Sequence, residues 1–314
     1  MHGTLKSRFL VFVLVASLFV SIPFSGFAAE FSDAEKAYFL KAVEDASKKA
    51  APAKVSKKLL AIVPPPGWSG TWPDDPINRE RLHGGTIQWE GAPGQSRVKV
   101  AAFMSKSDYE TYYKASIGGE YTLKKSLWVT VVPELRNYFA DSSSCPPTPK
   151  RVMKLLGLNP WKSYDVVVEM YVDQKDLFRP SPDPEVTDHK AEPAVKASDG
   201  SWLFPDPFIG NSTEKLYVNG PTSQSVSFPD WFKQNAIDSY DVSHESWCVP
   251  WTRLGYTYDW AWGANRVGAS EFIIRVHPDP SGTGGEVQVK LLKAIRSYDE
   301  TDSPANWKSY FRCR

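Results

Sequence analysis

Residues 164–172 read YDVVVEMYV. Apart from Asp165 and Glu169 every side chain is apolar or aromatic, and three consecutive valines resist helix because β-branching freezes χ1. A run this short and this apolar reads as a strand covered on both faces. Such a strand needs neighbours. Runs at 85–90, 97–103, 127–132, 271–277 and 286–292 carry strand composition. PDPSGTGG, residues 278–285, sits between the last two as a hairpin turn.

Helix signals are interspersed with these strands. FSDAEKAYFLKAVEDASKKA opens at Phe31 with Ser32 and Glu35 in capping-box spacing, followed by apolar residues at near-helical intervals. SDYETYYK predicts a short helix from Ser107, Thr148-Pro149 starts another that runs through Leu156, and a third spans Pro229–Ile237. VPPPGWSGTWPDDP at 63–76 and the Pro-rich stretch 174–215 read as long loops. The expected fold is α+β, with mixed, mostly antiparallel sheets, an N-terminal helix and long Pro-rich loops. DSSSCPPTP at 141–149 is the candidate boundary. It divides an N-terminal α+β region, 29–145, from a C-terminal one, 146–314, that carries the candidate site, either as separate domains or as one body.

Lys6 and Arg8 precede an apolar run from Phe9 to about Val20, then Pro23, Ser25, Gly26 and Ala28. That pattern predicts a bacterial secretory signal peptide over residues 1–28 and a secreted or periplasmic product with no membrane span after cleavage. The leader holds two basic residues and no acid, which leaves 35 Lys and Arg against 36 Asp and Glu. Such a balance gives no electrostatic footprint for nucleic acid. With 12 Trp, 14 Tyr and 16 Phe the chain is rich in aromatics, which serve equally as core and as stacking surface for sugars or bases. A small-molecule or glycan ligand is therefore possible, and beside an enzyme the chain reads alternatively as a non-catalytic glycan- or envelope-binding module or as a structural secreted protein. Cys145, Cys248 and Cys313 predict one disulfide and one free thiol in an oxidising compartment, the pairing left open.

No GxSxG, P-loop, HExxH or EF-hand signature occurs, and the five His are scattered. Asp183, Glu185 and Asp188 in FRPSPDPEVTD have the oxygen-rich character of a Ca²⁺ loop, but the Pro-fixed connection reads as solvated acids and no metal is assigned. WTRLGYTYDWAWG, residues 251–263, alternates with period two. Leu254, Tyr256, Tyr258, Trp260 and Trp262 form its expected core face. Trp251, Arg253, Thr257 and Asp259 form the opposite row. Arg253 and Asp259 there read either as a structural ion pair or as a ligand-binding face, with Arg253 on an anionic group and the aromatics on a ring. Asp259 and Glu271 are the pair of acids singled out for glycoside chemistry.

Arg179 in DLFRP, Ser223 and Ser225 in TSQS, and Glu271 in SEFIIRV occur in that order, followed by a Gly/Pro turn and EVQVKLL. This arrangement, covering roughly a third of the chain, resembles the ADP-ribosyltransferases. The resemblance implies NAD as substrate, with Glu271 on the nicotinamide ribose and Ser223 bracing the site. It places Arg179 or Arg253 on the pyrophosphate and Tyr256 or Trp260 against the nicotinamide ring. Ala269 stands where the family usually has Glu or Gln, two residues before the catalytic Glu. That departure favours NAD hydrolysis over transfer to protein. WTRLGYTYDW with the later SEF also looks like a group of secreted bacterial proteins of unassigned activity.

Overall fold

A computed structural model describes residues 30–49, 56–63, 75–193, 195–196, 198, 202–203, 215–218, 224–278, 284–298, 306–311 and 313. The candidate signal peptide and Ser223 lie outside them. From Phe31 onward the described residues belong to one compact unit.

The protein is α+β. Helices are α1 (Asp33–Lys49), α2 (Pro76–Arg81), α3 (Lys106–Asp108), α4 (Glu134–Ala140), α5 (Pro149–Leu155), α6 (Phe228–Tyr240) and α7 (Trp307–Tyr310). The main sheet is built from β1 (Val98–Met104), β2 (Glu120–Leu123), β3 (Leu127–Val131), β4 (Val166–Val172) and β5 (Leu177–Phe178). Short hairpins follow: β6 (Val195–Lys196) with β7 (Trp202–Leu203), and β8 (Lys215–Val218) with β9 (Gln224–Ser227). After β10 (Tyr256–Tyr258) and its partner β11 (Val267–Ser270), the chain rejoins the main sheet. It does so as β12 (Phe272–Ile274), β13 (His277–Pro278) and β14 (Gly285–Arg296). The sheet order is β13-β14-β4-β1-β3-β12-β5, with β2 also on β14, and every strand pair among the described residues is antiparallel.

YDVVVEMYV is the buried strand its composition demands, hydrogen-bonded to β1 on one side and β14 on the other. Val166, Val168, Met170 and Val172 pack into the larger core, with Val98, Val100 and Ala102 of β1. Val167 faces the other way, onto Leu135 and Phe139 of α4 and Val152 and Leu155 of α5. The sheet is thus covered on both faces.

Local signals hold at the helix starts. Ser32 and Glu35 close the capping box, the Ser32 amide donating to Glu35 Oε2 at 3.0 Å and the Glu35 amide to Ser32 Oγ at 3.3 Å. Thr148 Oγ1 accepts from Arg151 N at 3.2 Å ahead of α5. The short helix expected from Ser107 begins at Lys106, because Ser105 supplies the cap, its Oγ accepting from Asp108 N at 2.9 Å. Residues 85–90 give only a bridge from Trp89 to Val98. The long strand expected across 251–263 shrinks to Tyr256–Tyr258, because Arg253 (φ 57°), Gly255 (φ 78°) and Gly263 (φ 75°) adopt left-handed backbone. Cys145 pairs with Cys313 at a Cα–Cα distance of 5.5 Å. Cys248 is the free thiol, buried, and burial pushes its pKa up to about 11. Among the described residues no helix is long and apolar enough to cross a membrane.

Candidate functional site around Glu271

Glu271 occupies a one-residue break between β11, which belongs to the small β10–β11 sheet, and β12, which pairs with β3 in the main sheet. At such a crossing the backbone donors lose their regular ladder partners and need others. The Glu271 amide donates to Gly255 O at 3.1 Å. The preceding amide, Ser270 N, donates to the Glu134 carboxylate at 2.9 Å. Two glycines make the approach possible. A Cβ on Gly255 would meet Arg179 Cδ at 2.5 Å, and one on Gly268 would meet Thr257 Oγ1 at 2.1 Å.

The Glu271 side chain enters an aromatic cluster formed by Trp251, Phe178, Phe228, Phe232 and Ile273, flanked by Trp231 and Tyr240. It is 8% exposed. The Trp251 indole N–H faces the Glu271 carboxyl, and Oε2 meets no other donor. Burial without a compensating cation pushes the carboxyl up to about 8, so it holds its proton at neutral pH. Tyr240 OH donates to Trp251 O at 2.5 Å, and the Arg253 guanidinium lies over the Tyr240 ring, 5.2 Å from its centre. Trp128 stands edge-on to Trp251 at 6.1 Å and, 40% exposed, carries this aromatic cluster to the surface.

The other candidates divide sharply. Arg179 is brought to the same turn, its stem against Gly255, but it has no exposed surface. Its guanidinium donates to the carbonyls of Lys190 (2.8 Å), Asp188 (2.9 Å) and Leu60 (3.3 Å). It is a strut beneath the site, out of reach of a phosphate. Asp259 does not pair with Arg253. Its carboxylate accepts from Arg151 at 2.7 and 3.1 Å, from Tyr138 OH at 3.1 Å and from Ala261 N at 3.0 Å. All its acceptor capacity is spent on structure, and no glycosidase pair with Glu271 survives. Trp260 is core at 1% exposure, against Phe39 and Phe31, and cannot meet a ligand. Trp262, expected on the core face, is 84% exposed. The supposed polar row is buried as well, since Thr257 Oγ1 donates to Leu155 O at 2.7 Å. Arg253 and half-buried Tyr256 remain on the turn that carries the Glu271 amide bond, with Tyr256 paired to Ser270.

Asp183, Glu185 and Asp188 place carboxylate oxygens within 4.8 Å of one another. They surround Arg179, whose Nη1 is 3.8 Å from Glu185 Oε1, so a guanidinium already supplies positive charge where a cation would sit. Burial, with the neighbouring Glu192 carboxyl, raises Asp183 to about 8. His189 and His277 each have both ring nitrogens engaged, by Leu59 O and Asp75 and by Arg275 and Asp176 respectively. Neither is free to shuttle a proton.

Sequence reasoning missed Glu134, Arg81 and Tyr240. Glu134 follows a proline at a helix start and reads as a dipole-complementing acid. Nothing local links it to Ser270. Comparison with protein-family models, curated proteins and solved structures finds no match.

Proposed function

We propose that the chain is an extracytoplasmic NAD-consuming enzyme of the NAD-glycohydrolase type, centred on Glu271. The observation that carries the reading is a buried carboxyl, pushed up to about 8, with no cation beside it and only the Trp251 indole N–H as donor, close to Tyr240. Aromatic faces attract a flat cation, and the pyridinium of NAD is one. Its positive charge beside Glu271 favours the ionised carboxylate, so binding releases the proton that burial retains. The carboxylate then accepts from a ribose hydroxyl and stabilises the oxocarbenium character that develops as the C1′–N bond breaks and neutral nicotinamide leaves; water adds to C1′ and gives up a proton, which completes the hydrolysis. Arg179 is buried, and Arg253, whose Nη2 reaches Ser47 O at 3.5 Å, is assigned to the pyrophosphate from the turn that it shares with Tyr256.

The test is nicotinamide release from NAD by the mature protein, followed by chromatography. Release is expected to rise with pH up to about 8, the value to which burial lifts Glu271, and to vanish in Glu271→Gln. Release that is absent, or equal in the variant, would end this reading.

A second reading has its own observation. Trp262 is 84% exposed and stacks 5.0 Å from Tyr38, whose hydroxyl accepts from Arg266 at 2.6 Å. A bare indole bordered by a polar planar side chain suits the C–H face and hydroxyls of a sugar. Retention on polysaccharide or peptidoglycan, lost on Trp262→Ala, would favour a glycan-binding module.

A further inference from the structure

We infer that Glu134 and Arg81 are positioning residues for Glu271, clamping the strand crossing that aims its side chain into the aromatic cluster. The inference rests on the reading of Glu271 as the reacting group. Its geometry, however, stands by itself.

Glu134 is the first residue of α4 and is 1% exposed. Its Oε1 accepts from Ser270 N at 2.9 Å, Ser270 Oγ at 3.1 Å and Arg81 Nη2 at 3.1 Å, and its Oε2 accepts from Thr130 Oγ1 at 3.2 Å. Arg81 Nη2, at the end of α2, also reaches Gly268 O at 3.1 Å. Two separate elements, α2 and α4, therefore hold β11 through side chains at the point where it leaves one sheet for the other, and Thr130 of β3 braces Glu134.

A purely structural account would let the ladder do this work, as it does along β4. Here the ladder is interrupted on purpose. The Ser270 N–H is handed to a carboxylate, and Glu271 is free to rotate only about its own side-chain bonds. Without the clamp, Ser270 N and Gly268 O lose their side-chain partners, and only the β10–β11 pairing and the Glu271 N to Gly255 O bond still hold the crossing. The Glu271 carboxyl can then swing toward water and away from Trp251. Tyr240 of α6 is a titratable group facing Glu271, with the Arg253 guanidinium over the Tyr240 ring, and neither is altered by changes at Glu134 or Arg81.

The test uses the full chain labelled with ¹³C-carboxyl glutamate, the Glu271 resonance being assigned by its loss in Glu271→Gln. In Glu134→Ala the protonation midpoint of Glu271 is expected to fall by at least one pH unit, because a carboxyl released into water is no longer penalised for ionising. Glu134→Gln keeps an acceptor for Ser270 N and should restore most of the original midpoint. Arg81→Gln, on a partly exposed side chain, gives an intermediate fall and serves if Glu134→Ala does not fold. An unchanged midpoint in folded Glu134→Ala or Arg81→Gln overturns the clamp. A fall without any NAD cleavage in the native chain upholds the clamp and removes the enzymatic reading, so the two failures are separate.

Discussion

Glu134 and Glu271 are two buried acids flanking a single residue's worth of backbone, Ser270, and they have opposite fates. Glu134 is surrounded by donors from Arg81, Ser270 and Thr130, which replace the water it lost. Glu271 faces one, the Trp251 indole N–H. Burial thus leaves a strut in one place and a carboxyl pushed up to about 8 in the other. Hydrogen-bond supply decides between them, not depth.

Removing the strut is the severest test of that contrast. Glu134→Ala leaves Arg81 without its carboxylate and Ser270 N without its acceptor, and is expected to cost about 3–5 kcal/mol. Urea denaturation measures it, and a loss below about 1 kcal/mol would mean the network is ornamental. The next effect belongs to Glu271. Its folded pKa lies above its unfolded one, so the native state binds the extra proton and the chain loses stability as pH rises from about 4.5 to about 8. The loss is on the order of 5 kcal/mol by pH 9. Glu271→Gln should flatten this slope and be the more stable protein at high pH, and parallel slopes in the two melting series would refute it.

Asp259 belongs with Glu134 as a satisfied acid. Asp259→Asn gives up charge-assisted bonds to a partly exposed Arg151 and is expected to cost about 1–3 kcal/mol by urea denaturation. A loss below about 0.5 kcal/mol would show that these bonds carry no stability. Smallest of all is Trp262→Ala, within about 0.5 kcal/mol, since its indole is 84% exposed. A larger loss by calorimetry would reassign it to the core beside its near neighbour Trp260.

How far these fates could be read in advance depended on the range of the interactions. The capping box at Ser32, the Thr148-Pro149 start and the valine strand all rest on contacts within a few residues, and each stands in the structure. The turn at 253–255 did not announce itself, because it depends on Arg179 and Leu59 packing against a glycine. Period-two alternation failed there for the same reason. The face drawn as polar is covered by α5, through Leu155 O, and by Arg151, which no spacing rule connects to Thr257 or Asp259. Glu271 was legible as a candidate from its small neighbours. Its environment was not, since Trp251, Tyr240 and Glu134 come from three distant segments.

The claim at the centre is that Glu271 is protonated at neutral pH, and carboxyl-labelled NMR titration of the native chain tests it most directly. A midpoint near 8 is the predicted result. A midpoint at the ordinary glutamate value of about 4.3 would show a solvated, unremarkable acid and would contradict the account.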